Sequence, residues 1–256
     1  RRKFMGSGLI SIAMTGINSD DLHSYLYVSE DAGKSWKSIA AGLPDEPVNV
    51  ILEDPTQENL LYAGGLRGVY VSLDRGNSWS YFGQNLPASA VADLEIHEAS
   101  MELVVATHGR GIYKLNLRPI QAMAAGKIPQ DQDFLFEIPE AKRPWFNSSG
   151  GEPDYRTLER TPITFWLAVP KPVTLSIRNT DQKVLWKTTV NGQKGFNQVR
   201  WDLVTSRQNS DYPYFVHYER FLAAGAYQMV LSADGNNDQL RPFIVVDSVS
   251  PYAKER

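Results

Sequence analysis

The sequence predicts an all-β chain in two parts: strand-rich repeats over residues 1–118 and a β-sandwich over 161–250, joined by a Pro- and Gly-containing linker at 119–160. Three observations predict it. A stretch of the first part recurs 43 residues later. Each copy breaks into short runs of β-branched and aromatic residues separated by turn formers. Clear apolar/polar alternation then returns after residue 160.

The repeat can be followed residue by residue. Ser29, Asp31, Gly33 and Trp36 are answered by Ser72, Asp74, Gly76 and Trp79, and Gly42, Leu43 and Pro44 by Asn85, Leu86 and Pro87. Residues 61–70 correspond at the same offset to residues 104–113. This is blade length, near the roughly 40–45 residues of a four-stranded propeller unit and unlike the roughly 20–29 of a leucine-rich repeat. The complete unit predicts strands at 48–52, 60–63, 68–72 and 78–82. The following unit predicts strands at 91–96, 102–107 and 111–117, and the preceding one at 9–14, 24–28 and 35–39. The fold expected is thus a partial β-propeller of about three blades, short of the roughly four that close a ring. An open stack leaves sheet edges bare. The remaining blades are therefore expected upstream in the same polypeptide, or else from another chain.

The pattern Ser-x-Asp-x-Gly-x-x-Trp, at Ser29/Asp31/Gly33/Trp36 and Ser72/Asp74/Gly76/Trp79, resembles the Asp-box, or BNR repeat. That motif marks sialidases, sortilin-type receptors, xyloglucanases and many exported bacterial propellers. The segment 106–113 (Ala-Thr-His-Gly-Arg-Gly-Ile-Tyr) is similar to the propeller end of large BNR-repeat proteins of Bacteroidetes-like bacteria. The resemblance covers about residues 8–117 and implies fold far more than activity. It implies an extracytoplasmic bacterial protein whose partners are a cell-surface protein or glycan. Physically, the box belongs on the turn between the third and fourth strands of a blade. The short Asp accepts hydrogen bonds from turn amides, and the Gly takes a positive φ. The Trp packs between neighbouring sheets, where truncation costs about 3–5 kcal/mol.

Past residue 117 the pattern changes. Pro119, Pro129, Pro139, Pro144 and Pro153 punctuate the linker, and residues 133–136 are apolar enough to dock as an added strand. In the sandwich, Ile163, Phe165 and Leu167, then Val173, Leu175 and Ile177, each line one face. About seven short strands are expected. Gly195, Asn197, Val199, Trp201 and Asp202, with Ala224, Gly225 and Tyr227, resemble the signature of FlgD-type immunoglobulin-like domains, which implies a spacer or docking module. The insertion carrying Tyr212, Tyr214, Phe215, His217 and Tyr218 departs from that family. It is either a contact surface or a packing loop.

Bulk composition narrows the function. The net charge is −3, so no basic field favours nucleic acid. No apolar run reaches the roughly 18 residues of a membrane span. Cysteine is absent, which removes disulfides, thiolate nucleophiles and Cys-based zinc sites. No cofactor and no metal site is expected. The histidines lack ligand spacing, and the calcium-like run Asp234, Asn236, Asp238 lacks both the loop Gly and the closing Glu.

Two arginines are candidates for binding. Arg67 and Arg110 occupy equivalent turns between second and third strands, and His108 lies two residues before the second. Those turns belong to the end of the blades opposite the Asp-boxes. Repeated arginines there either grip carboxylate or phosphate groups or serve the hairpins themselves. No catalytic residue is assigned. The Phe/Tyr-Arg-Ile-Pro motif of sialidases is missing, and Glu53 and Asp54 read with Pro55 as a turn. The expected role is an exported binding or assembly module. The alternative is the C-terminal part of a sialidase- or xyloglucanase-like glycoside hydrolase with its catalytic residues mostly upstream.

Overall fold

The structure is a computed structural model that describes residues 10–83, 86–145, 154, 157–208, 218–233 and 238–249, with the side chains of 206–208 and 218–220 excepted. Two compact units form, Arg1–Asp131 and Gln132–Arg256.

In the first unit, β1 (Ile10–Gly16), β2 (Asp21–Ser29) and β3 (Lys37–Ser38) make one antiparallel sheet in that order. β4 (Val48–Glu53), β5 (Leu61–Gly65), β6 (Val69–Ser72) and β7 (Ser80–Phe82) make a four-stranded antiparallel meander. β8 (Val91–His97), β9 (Glu102–Thr107) and β10 (Ile112–Asn116) make a third sheet. These are successive blades. β4 lies against β1 on one side and against β8 on the other. That position explains its near-complete burial, as expected for a strand covered on both faces. Leu26, Val28 and Ile39 from the first blade pack with Val48, Ile51, Leu61, Ala63 and Tyr70 from the second. Each such buried side chain contributes about 1.5–3 kcal/mol.

The blades are not identical. At the 43-residue offset, a fourth strand of the third blade would fall at residues 121–125. The chain instead forms helix α1 (Arg118–Ala124) there. A Pro in its first turn suits the start of a helix, and Ile120 and Met123 are buried. Gln121 Nε2 donates to Asp54 Oδ2 at 2.9 Å. Asp54 also accepts from Thr56 N and Oγ1, Gln57 N and the Tyr62 hydroxyl. The turn expected at Glu53 and Asp54 is present, but both carboxyls are buried. Glu53 ends β4 and accepts from Ser11 Oγ at 3.1 Å, linking the first two blades. Burial raises its pKa. Among the described residues no fourth strand pairs with β10, and its Ile112 is 73% exposed.

The second unit is also β. β11 (Phe134–Leu135) and β12 (Ala141–Arg143) come first, then β13 (Thr161–Leu167), β14 (Lys171–Arg178), β15 (Val184–Gly192) and β16 (Gly195–Trp201). β17 (Val204–Gln208), β18 (Tyr218–Phe221), β19 (Gly225–Ser232) and β20 (Gln239–Asp247) follow. One sheet runs β11-β13-β16 and another β12-β20-β19-β14-β15, while β17 pairs with β18. Ile163, Phe165 and Leu167 of the first sheet share a core with Leu175, Ile177, Met229, Leu231 and Phe243 of the second. This is a sandwich, and the alternation in the sequence placed its faces.

The segment read as a linker does more than connect. Residues 133–136 include β11, which pairs with β13, and β12 pairs in parallel with β20. Leu135, Ile138 and Ala141 are core residues, so the second core begins well before Thr161. Asn197 staples the 193–195 turn, accepting from Gln193 N and donating to the Gln193 and Gly195 carbonyls. The sequon Asn147-Ser148-Ser149 and residues Tyr212, Tyr214, Phe215, His217 and Asp234 to Asn237 lie outside the described residues, as does the Tyr218 side chain. β19 and β20, on either side of 234–237, pair antiparallel.

Candidate functional site

The two ends of the blades differ in chemistry. At one end are the Asp-boxes, on the β2–β3 and β6–β7 turns. Ser29 Oγ donates to Asp31 Oδ1 (2.8 Å) and accepts from Gly33 N (2.7 Å). Asp31 then accepts from Ser35 N and Ser35 Oγ, at 2.8 and 2.7 Å. Ser72, Asp74, Gly76 and Ser78 repeat the set with matching partners. Gly33 and Gly76 have φ of 90° and 85°, where a Cβ is strained. Hydrogen bonds from Ser35 and then Ser29 hold the Asp31 carboxyl down to about 2. Asp74 is also lowered: burial opposes the shift, but the bonds from Ser78 and Ser72 outweigh it. These side chains are occupied by their own turns.

The tryptophans diverge. Trp79 Nε1 donates to the Ile39 carbonyl of the first blade at 2.7 Å, and its ring packs on that blade's core. Trp36 was expected to pack between sheets as well, but it is 41% exposed. No sheet stands before the first blade among the described residues, so its ring lacks the surface that Trp79 uses.

The opposite end carries the candidate binding residues. The tight β5–β6 turn closes with Gly65 N donating to Gly68 O at 2.9 Å. Arg67 at its tip is 77% exposed, yet it is tied to Glu46, which is 6% exposed. Glu46 Oε1 accepts from Arg67 N (3.3 Å) and the Tyr70 hydroxyl (2.9 Å), while Arg67 Nε lies 3.4 Å from Oε2. Glu46 Oε2 is buried and makes no hydrogen bond among the described residues. Burial, then the bond and charge of Glu46, keep the Tyr70 hydroxyl protonated as a donor. Glu46 approaches the Gly65 backbone closely, since a Cβ there would lie 2.6 Å from Glu46 Oε1.

The β9–β10 turn is different. Tyr70 pairs with Ala63, but Tyr113 pairs with Val105 rather than Ala106. Thr107 N reaches Gly111 O, so this turn is one residue longer. The correspondence of 61–70 with 104–113 therefore holds along β10 and slips by one along β9. His108 and Arg110 are exposed, and their side chains have no partner among the described residues. The structure places both arginines at the same end of the blades and pairs only the first.

A further cluster stands at this end. Asp21 accepts from the Tyr25 hydroxyl and from His23 N, and its Oδ1 is 2.7 Å from His23 Nδ1. His23 Nε2 lies 3.8 Å from Asp45. The Tyr25 bond, with those of His23, holds Asp21 down to about 2. The Asp21 hydrogen bond, then the Asp45 charge, raises His23. Ser24 Oγ joins the cluster to the next blade, its single proton shared between the Pro44 and Glu46 carbonyls. Sequence reasoning missed Glu46. Its only signal is negative: the 43-residue offset leads from it to Ser89, so it is not part of the repeat. Among the described residues no group of three or more His, Cys, Asp or Glu is placed to hold a metal.

Stacked antiparallel blades with Asp-box turns between their last strands define the class: a propeller-type blade protein followed by a β-sandwich. The sequence matches the family model Sortilin-Vps10, described as sortilin, neurotensin receptor 3, over residues 24–255. The chain belongs to that family. No curated protein sequence matches it. Among solved structures, the GH74 enzyme of Niastella koreensis is similar at 14% identity and a TM-score of 0.36, covering 93% of this chain and 36% of that one. The GH74 xyloglucanase of Xanthomonas campestris gives 11% and 0.34 over 93% and 37%. The extracellular domain of a one-component system from B. thetaiotaomicron gives 12% and 0.34 over 96% and 31%. The chain thus spans about a third of the length of these structures. No helix among the described residues is long and apolar enough to cross a membrane.

Proposed function

We propose that the chain is an extracytoplasmic binding and assembly module that takes its ligand at the end of the blades opposite the Asp-boxes. One observation carries the reading. The Asp-box side chains are saturated by their own turns, whereas at the other end the exposed side chains of His108 and Arg110 are unpartnered among the described residues. A family described by the name of a receptor supports binding over catalysis. The Asp-box resemblance supports the compartment. The sandwich, with its FlgD-like Asn197 staple and Ala-Gly-x-Tyr turn, serves in this reading as an immunoglobulin-like spacer.

Assembly enters through Trp36. Trp79 shows what an Asp-box tryptophan meets when a blade precedes it: a carbonyl for Nε1 and an aliphatic surface. Trp36 offers the same group uncovered, and the occupant proposed is a further blade upstream in the same polypeptide. Binding to arrayed peptides and glycans, compared between the parent and an Arg67→Ala/Arg110→Ala variant, tests the ligand reading. Loss of binding with the fold retained supports it. Unchanged binding, or turnover of a glycan substrate by the protein, overturns it.

A further inference from the structure

We propose that the turn bearing His108 and Arg110 binds the glutamate side chain of an extended acidic peptide, in the place that Glu46 fills one blade earlier. The inference rests on the reading that this end of the blades is the ligand face, and it names the ligand.

The second blade is an internal picture of the complex. There a carboxylate sits against the Arg67 turn, accepting from the turn N–H and from the Tyr70 hydroxyl, with the guanidinium beside its second oxygen. In the third blade Arg110 and Tyr113 recur at the positions of Arg67 and Tyr70. The carboxylate does not recur. Glu46 is replaced by Ser89, whose hydroxyl bonds to the Pro87 carbonyl. Arg110 and Tyr113 therefore recur without the acid, on a turn one residue longer than that of Arg67. An exposed guanidinium beside a tyrosine favours a carboxylate through charge-assisted hydrogen bonds.

The third-blade turn is also open. Gly109 and Gly111 have φ of 77° and 90°, and a Cβ at either would meet nothing within 4 Å. These glycines serve the bend, unlike Gly65 and Gly68, where a Cβ would collide with Glu46 and Tyr81. The longer turn also carries His108, exposed two residues before Arg110. The peptide is favoured over a sugar acid because the occupant in the second blade is itself a peptide. Glu46 arrives on a segment held by Ser24 through the Pro44 and Glu46 carbonyls, and Pro47 keeps residue 46 extended.

The probe is the blocked peptide Leu-Pro-Asp-Glu-Pro-Val, the sequence of residues 43–48, acetylated and amidated so that only side-chain carboxylates remain. Titrated to millimolar concentration into the 15N-labelled protein, it is expected to shift the amides of residues 107–111. Replacing its Glu by Gln, or Arg110→Ala in the protein, should weaken binding by about tenfold or more. Ser89→Glu should install the acid internally and abolish binding, with the amide spectrum reporting that each variant is folded. Equal binding of the Gln peptide, indifference to Arg110→Ala, or binding of glucuronate but not of the peptide overturns the proposal. In the last case the ligand face itself still stands. If no ligand binding depends on any residue at this end, the broader reading falls as well.

Discussion

The two Asp-boxes share one hydrogen-bond set and differ in what their tryptophans touch. Ser29/Asp31 and Ser72/Asp74 make the same bonds to the same turn atoms. Yet Trp79 is seated on Ile39 and Trp36 is open. The motif encodes a turn that closes on itself. The burial that makes the turn count for stability comes from the neighbouring blade. An Asp-box is therefore a local structure with a contact whose strength is decided elsewhere.

That contrast can be broken most directly at the tryptophans. Trp79→Ala is expected to destabilise the first unit by about 3 kcal/mol, the lower part of the range for emptying a large packed side chain. Trp36→Ala should cost about 1 kcal/mol or less, as an exposed position does. Urea unfolding followed by intrinsic fluorescence ranks the two, and equal costs would show that Trp36 is already covered in solution.

The glycines sharpen it next. Both need a positive φ, but a Cβ at Gly76 would press to 2.7 Å from Ile39, whereas one at Gly33 would have 3.7 Å to Trp36. Gly76→Ala should therefore cost about 2 kcal/mol and Gly33→Ala about 1 kcal/mol. Thermal melts of the two variants measured side by side check the order. In the polar half of the motif, Asp74→Ala should cost about 1 kcal/mol by orphaning Ser78 N and Ser78 Oγ, and Ser72→Ala, which orphans Gly76 N, somewhat less. Hydrogen exchange at the amides of residues 76 and 78 would register both.

The smallest effect is acid dependence. Asp31 is held at about 2, below the ordinary 3.8. A carboxylate depressed on folding stabilises the native state above its unfolded value, and that contribution fades as pH falls from near 4 toward 2. Asp31→Asn should therefore lose less stability than the parent between pH 5 and pH 2.5 in urea titrations. A parallel loss in both would show that the turn bonds do not discriminate charge.

Much of the fold was legible because the repeat carries its own register. The boxes, the four-stranded middle blade and the alternating faces of the sandwich all follow from spacing. What escaped depends on contacts rather than period. Residues 121–125 fall where a fourth strand is due, but Pro119 starts a helix that Asp54 anchors through Gln121. Leu135 falls in the run expected to dock as a strand, but Ala141 lies between prolines and still enters the core. The one-residue slip of β9 is invisible to an ungapped comparison, because small and apolar residues fit either register. At the candidate site, Arg67, His108 and Arg110 stood out through the repeat. Glu46 stayed hidden because it does not repeat, and its burial beside Tyr70 is a property of the fold alone.

The bond between Gln121 and Asp54 spans 67 residues of chain. A ribosome adding roughly 5–20 residues per second needs about 3–13 s to cover that distance. For that interval Asp54, although already flanked by Thr56 and Tyr62, lacks its last donor. The middle blade is thus sealed from downstream, and its final closure waits on the synthesis of a helix that belongs to no blade.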